Sequence, residues 1–334
     1  MKNILTLIAA LAFCTAIYSQ SKVGTTAANF LTIPVGPRAT GMGGAFVAVA
    51  DDATSAFWNP GGIARIPRTE LAVTHAEWLV GTDLNWVGLV FKMDENNALA
   101  LAINQLDYGQ EEITNYLAQD GTGAFWKAQD LSIALSYGRN LTDRFSIGLT
   151  AKYITQTIWN ESASAWALDV GLLFFTPLEG LRLGMNISNF GTEMKLDGDD
   201  LLLPADIDPP NSGNNENISS KLATESWPLP LQFSVGIGYD VFNTEEWRWV
   251  LAADALVPNN QTTYGNVGTE LMWNKIVSLR VGYTSLLKED SQEGLTAGMG
   301  LQYDFGGFFA KIDYSYTDFG IFDEISRFSI SVGL

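Results

Sequence analysis

Few residues in this chain could do covalent chemistry. It carries one histidine, His75, and one cysteine, Cys14, in 334 residues. Cys14 lies in the N-terminal apolar run, so no thiolate-rich metal site can be assembled, and one imidazole cannot supply a multi-histidine site. His75 sits in THAEW, on the parity of Val73 and Glu77 and opposite Ala72, Thr74, Ala76 and Trp78. It reads as a solvated, inward-facing side chain and not as a proton shuttle. Serines are plentiful, but no segment marks one as a nucleophile. No catalytic, cofactor or metal residue is assigned, and the chain reads as non-enzymatic.

Two acidic clusters and one glycine cluster remain. Asp197-Gly198-Asp199-Asp200 offers carboxylates that suit calcium but lacks helix–loop–helix spacing, so a solvated acidic loop is the expectation. Asp51 and Asp52 could form a carboxylate pair; charges favouring the N-terminus of a short helix explain them more simply. Just before them, Gly41-Met42-Gly43-Gly44 looks like a phosphate cradle. It lacks the Lys-Ser/Thr of a phosphate loop and the third glycine of a dinucleotide fingerprint, and no strand–helix–strand unit surrounds it.

The elements that must position these residues are strands. LSIALSYG (131–138) sets Leu131, Ile133, Leu135 and Tyr137 against Ser132, Ala134, Ser136 and Gly138. The same period-two alternation recurs in LQFSVGIGYD (231–240), LTAGMGLQYDF (295–305) and FSISVGL (328–334). About fourteen such segments run from residue 69 to the C-terminus, most of them long enough to cross a bilayer at a tilt. Their connections alternate in length. KMDENN, GRNLTD, TPLEG, VFNTEE, NK and GG are short, whereas 109–127 and 191–228 are long and WNESAS, PNNQTT and LKEDSQEG are polar. Long loops gathered at one end are the pattern of an outer-membrane barrel.

Aromatics and charges agree with that reading. Tyr137, Tyr239, Trp247, Trp249, Trp273, Tyr303 and Phe308 are expected at the periplasmic rim, and Trp78, Trp86, Trp159, Trp166, Tyr314 and Tyr316 at the outer rim. Lys152, Arg248, Asp254, Arg280, Lys311 and Asp313 lie on the parity opposite the apolar face, which places them in the lumen. The N-terminal MKNILTLIAALAFCTAIYSQS has the layout of a secretory signal peptide, assigned to 1–20, and bulky Phe13 before Cys14 argues against lipidation. No later segment has 18 consecutive apolar residues, so no transmembrane helix is expected. With 37 Asp and Glu against 19 Lys and Arg, a net charge of −18, nucleic acid is excluded as a partner through any basic surface.

The glycine cluster then finds a use. Within 21–68, AFVAVA (45–50) reads as a short strand, DDATSAFW (51–58) as a short helix, and Asn59-Pro60-Gly61-Gly62 as a turn. A barrel of fourteen strands has a lumen that needs filling. Residues 21–68 are therefore expected to be a plug, or hatch, inside a 69–334 barrel. Gly41, Gly43, Gly44, Asp51, Asp52, Trp58, Asn59, Pro60 and Gly61 form its motif.

The run IPVGPRATGMGGAFVAVADDATSAFWNPGGIARI (33–66) resembles the N-terminal signature of the PorV/PorQ family of outer-membrane proteins. More distantly it is similar to FadL-type fatty-acid transporters, whose hatch carries Asn-Pro-Ala; here the motif reads Asn59-Pro60-Gly61. The resemblance implies an all-β, FadL-like transmembrane antiparallel barrel in the bacterial outer membrane, surrounded by outer-membrane lipid. It further implies a part in type IX protein secretion, through translocon components or the C-terminal signals of secreted cargo. The alternative it carries is a transporter of hydrophobic small molecules such as long-chain fatty acids, with Phe46 and Phe57 helping to build a pocket. The lumen-facing parity of Ser, Gly, Thr, Gln, Asp and Lys weakens that alternative. Loop 191–228 mixes apolar and proline residues with acids, so it either offers a binding surface or folds back over the barrel mouth.

Overall fold

The structure, a computed structural model, describes residues 23–206, 208, 210, 217–288 and 291–334. The expected signal peptide and Cys14 lie outside the described residues. Seven long strands come first: β1 (Glu70–Glu77), β2 (Asp83–Lys92), β3 (Asn97–Glu112), β4 (Phe125–Thr142), β5 (Phe145–Ile158), β6 (Glu161–Phe175) and β7 (Leu181–Gly191). One excursion then holds β8 (Met194–Lys195), β9 (Asp197–Gly198), β10 (Leu202–Ala205), β11 (Ile218–Lys221) and β12 (Ser226–Trp227). Seven more long strands follow: β13 (Gln232–Asn243), β14 (Trp247–Pro258), β15 (Tyr264–Trp273), β16 (Val277–Leu286), β17 (Leu295–Asp304), β18 (Phe309–Asp318) and β19 (Glu324–Gly333). The fourteen long strands close into one antiparallel barrel. β7 pairs with β13 across the excursion, and β1 with β19, from Glu70↔Gly333 to Ala76↔Arg327, completes the ring.

Alternation sets the two faces. In β4, Leu135 is 58% exposed and Ser136 is 1% exposed. The outward set is an apolar band with aromatics towards its edges, as a lipid-facing surface requires. At one end the connections are 93–96, 143–144, 176–180, 244–246, 274–276 and 305–308, all short. The other end carries the excursion. There β3 and β4 continue past a register shift between Asp107 and Gln110, so both ends of 109–127 are paired strand and the connection proper is 113–124.

Two expectations about faces fail. His75 points outward, beside exposed Leu71 and Val73, with Nδ1 2.9 Å from Asn85 Oδ1. The inward parity of β1 is Ala72, Thr74 and Ala76, all buried, because the N-terminal segment lies close against it. At the strand end the imidazole sits among Asn85 and Asp83, a polar setting it tolerates. Trp86 and Trp78 do not join the outer aromatic rim. Trp86 is fully buried on the lumen side, over Gly88, and Trp78 packs edge-on against Phe319 at 5.4 Å. Parity decides the face: Trp78 continues the inward parity of Ala72, Thr74 and Ala76, and Trp86 lies inward with Leu84.

The core of the molecule is in the lumen. Phe30, Leu31, Ile33, Val35, Ile63 and Ile66 pack on inward Ala72, Ala76, Ala98, Ala100, Leu84 and Trp86. A second cluster joins Met42, Phe46, Val49 and Trp58 to Val250 and Ala252. The inward face of β1–β3 is thus largely apolar, where a mostly polar lumen is expected, because it is covered by protein and not by water.

Candidate functional site

Residues 30–66 sit inside the ring, and their seating is the site. Pro37 opens a short helix, Pro37–Gly41, behind Gly36, whose φ is 79°. Gly43 and Gly44 follow at φ 66° and 75°, a conformation side chains with a Cβ resist. They also touch the wall: a Cβ on Gly43 would lie 2.7 Å from Tyr283 N, and one on Gly41 3.0 Å from Gly298 Cα. The strands answer with glycines of their own. Gly282 faces Gly43, Gly268 faces Met42, Gly148 faces Pro60, and Gly171 faces Asn59 and Pro60. The glycine cluster therefore allows two backbones to meet.

AFVAVA is not a strand. Residues 47–49 form a turn, and the peptide donors of Phe46 and Val47 go to Asp254 Oδ2 on β14, at 2.7 and 2.9 Å. One inward carboxylate thus takes donors that a strand partner would need. The expected helix at 51–58 shrinks to Ser55–Trp58. Asp52 does precede it, with Oδ1 accepting from Thr54 N at 3.0 Å, but its other oxygen is engaged elsewhere. Asn59, fully buried, donates to Val47 O at 2.7 Å and Leu172 O at 2.9 Å, and accepts from Gly61 N at 3.0 Å. It ties the loop, the β6 wall and the turn Pro60–Arg65 together. Trp58 donates to Val35 O at 3.0 Å and meets Phe46 and Phe57 edge-on.

Asp51 and Asp52 belong to an ion-pair network. Arg38 grips Glu270 of β15 with two parallel bonds of 2.9 Å, and its remaining nitrogen bonds Asp51 and, at 3.0 Å, Asp52. Glu270 also takes Arg280 Nε at 2.7 Å, Arg280 holds Asp313 at 2.7 Å, and Lys311 spans Asp313 at 3.1 Å and Asp52 at 3.8 Å. On the other flank Arg248 and Arg182 reach Asp51 at 3.5 and 3.9 Å and share Asp240 at 3.3 and 3.0 Å. Five cations meet five carboxylates across six strands. Burial alone would raise the Asp51 carboxyl, but Arg38, Arg248 and Arg182 hold it down at about 2. Asp52 is likewise lowered, against burial, by Lys311, Arg38 and the Thr54 hydrogen bond. Arg38 is raised well above its ordinary value because Asp51, Glu270 and Asp52 outweigh the burial that opposes its charge.

All nine motif residues lie in this segment, but they do different things. Gly41, Gly43 and Gly44 meet β15–β17, Asp51 and Asp52 enter the network, Trp58 packs with Val250 and Ala252 of β14, and Asn59, Pro60 and Gly61 lie against the β5–β6 side. The hub, Arg38, was not singled out from sequence, nor were Glu270, Asp240 and Arg182. For the three strand residues a signal is available: single charges on the inward parity of otherwise apolar and glycine-rich strands.

Elsewhere the acidic stretch 197–200 is dispersed. Asp197 pairs with Lys221 and Asp200 accepts from Asn160 at 3.1 Å. The excursion divides between the two expected roles. Met194 and Leu229 are buried against the N-terminal segment, whereas Leu202, Leu203, Leu222 and Trp227 are exposed. Two cavities flank the seated segment. One, of about 130 Å³, opens towards the long loops; the other, of about 430 Å³, lies at the short-turn end beside Arg38, Asp51 and Asp52.

Comparison with solved structures shows the fold. The monoaromatic hydrocarbon channel CymD superposes with a TM-score of 0.54 at 13% identity, over 89% of this chain and 96% of that one. A Pseudomonas aeruginosa FadL homologue gives 0.51 at 13% identity, over 90% and 98%. The Ralstonia pickettii toluene transporter TbuX gives 0.51 at 13% identity, over 89% and 97%. Comparison with curated protein sequences gives no match. A family model described as type IX secretion system protein PorV matches residues 17–208, which include the whole lumen-seated segment and β1–β7. This outer-membrane barrel, distantly FadL-like in fold, belongs to the PorV family.

Proposed function

We propose that the protein serves type IX secretion by binding protein partners at its long-loop face, while residues 21–68 act as a plug that keeps the lumen shut. Family membership supports the secretion role. The observation that carries the rest is the seat: ten charged side chains and a set of facing glycines pin the segment to the wall. A conduit needs a segment that steps aside easily, and this one would have to break several buried ion pairs at once. The working surface is then outside the lumen, where exposed Leu202, Leu203, Leu222 and Trp227 offer apolar contact to translocon components or to the C-terminal signals of cargo. Mass spectrometry of exported proteins from the native strain and from one lacking the gene tests this. Loss of proteins with type IX C-terminal signals, restored by the full chain but not by one lacking 196–225, is expected. Unchanged export sinks the reading.

A second reading is favoured by the outer cavity, which Phe57 and Trp58 help to line, and by the FadL-like fold: passage of hydrophobic small molecules. Uptake of long-chain fatty acids by the two strains discriminates it, since only that reading expects a deficit.

A further inference from the structure

The cavity at the long-loop end contains a guanidinium that no carboxylate among the described residues bonds. Arg327, inward near the outer end of β19, is 1% exposed. One terminal nitrogen donates to Thr317 Oγ1 at 3.0 Å, the guanidinium lies 5.4 Å from the Trp78 ring, and its Nε finds no partner. Arg38 and Arg280, in contrast, each bond two or more carboxylates. Asn186 also lines this cavity.

Glu293 attracts Arg327 through space, but no charge on the lining bonds it among the described residues. Lys152 is satisfied by Asp169 at 2.6 Å, and Lys288 bonds Gln261 at 2.8 Å. Glu293 is the one lining carboxylate among the described residues, and an oxygen of it accepts from Ser285 at 2.7 Å. Among the described residues Lys152 is cancelled by Asp169, and Arg327 and Lys288 together exceed Glu293 by one positive charge. A buried guanidinium in that position favours an anion, and its planar fork matches a carboxylate best. Size narrows the class. The cavity's 130 Å³ is close to the roughly 150 Å³ that accommodates a benzene ring. Phe319, stacked edge-on with Trp78 beside Arg327, supplies an apolar wall.

We propose that this cavity binds a small organic carboxylate of about benzoate size, with its carboxylate on Arg327 and its ring against Phe319. The site selects for charge, which an entry for neutral hydrocarbons would not do. Calorimetric titration of the folded full chain in detergent tests it, with benzoate, its neutral isostere benzamide, and variants checked for heat-modifiable gel mobility. Benzoate binds saturably and roughly tenfold or more tighter than benzamide. Arg327→Gln removes that preference, and Asn186→Asp weakens benzoate by placing a like charge in the cavity. Absence of saturable benzoate binding, equal affinity for the two probes, or unchanged benzoate binding in Arg327→Gln overturns the proposal. Should Arg327→Gln not fold, the wild-type probe pair and Asn186→Asp still decide. None of these outcomes depends on cargo export.

Discussion

Arg38 shows why the seat needs its particular residue types. A planar fork bonds Glu270 with two parallel hydrogen bonds and still reaches Asp51 and Asp52, which a lysine ammonium cannot do. Removing it leaves Glu270 to Arg280 alone, Asp52 to Lys311 at 3.8 Å, and Asp51 to Arg248 and Arg182 at 3.5 and 3.9 Å, so three buried carboxylates are under-compensated. Arg38→Gln should therefore cost about 3–5 kcal/mol, measured by urea unfolding of the folded barrel. Arg38→Lys should recover only part of this, and full recovery would mean that charge alone matters. The carboxylates add a pH dependence. The folded Asp51 carboxyl, at about 2, lies below the roughly 3.9 of an unfolded aspartate. Its contribution is thus fully present above the unfolded value and is lost as pH falls towards the folded one. Protease susceptibility of residues 23–68 should stay low at pH 5 and rise between about pH 4 and 2; a rise already complete at pH 5 would point to another group. Little of this was legible in sequence. Arg38 sits in the quoted signature, but its partner Glu270 is 232 positions away, and only the closed ring brings them together.

At the scale of elements, the strands were legible because a period of two, carried over ten or more residues, leaves one register for each. The segment in the lumen was not. AFVAVA has a strand's composition, and it forms a turn because Asp254, on a strand about 200 residues later, captures its donors. His75 and Trp86 were placed on the wrong face for a related reason: the inward side of β1 and β2 is apolar only because the segment covers it. The lumen-facing glycines follow the same logic. Alanine at Gly282 would already press its Cβ into Gly43 N. Gly282→Val should therefore unseat the segment while the barrel still forms, seen as protease access to 23–68 with heat-modifiable mobility retained. The outward face has a different sensitivity. Leu149→Arg, on the lipid side, should cost about 2–4 kcal/mol in assembly near mid-bilayer, whereas Gln232→Arg, which opens on the outer cavity, should assemble normally. Equal defects would mean that the two faces have been interchanged.

On the scale of the whole molecule, the barrel and the segment stabilise each other. Fourteen strands enclose more space than their small inward residues fill, and the apolar residues of 30–66 have no other place to be buried. A cavity then lies on either side of a packed layer that contains Trp58, Phe46 and the ion pairs. Such a layer should pass almost no ions. In planar bilayers the wild-type barrel is expected to insert without a steady conductance. Gly282→Val, which attacks the packing, and the pair Arg38→Gln with Asp51→Asn, which attacks the network, should each open a channel. Deletion of 23–68 should give the largest conductance of all, if that barrel assembles. The order of the three separates the contributions. If the charge variants conduct as well as the deletion, ion pairs alone hold the segment; if only Gly282→Val conducts, packing does. A wild-type barrel that conducts steadily would mean that the segment leaves its seat readily, and the transport reading would then displace the one built on protein partners.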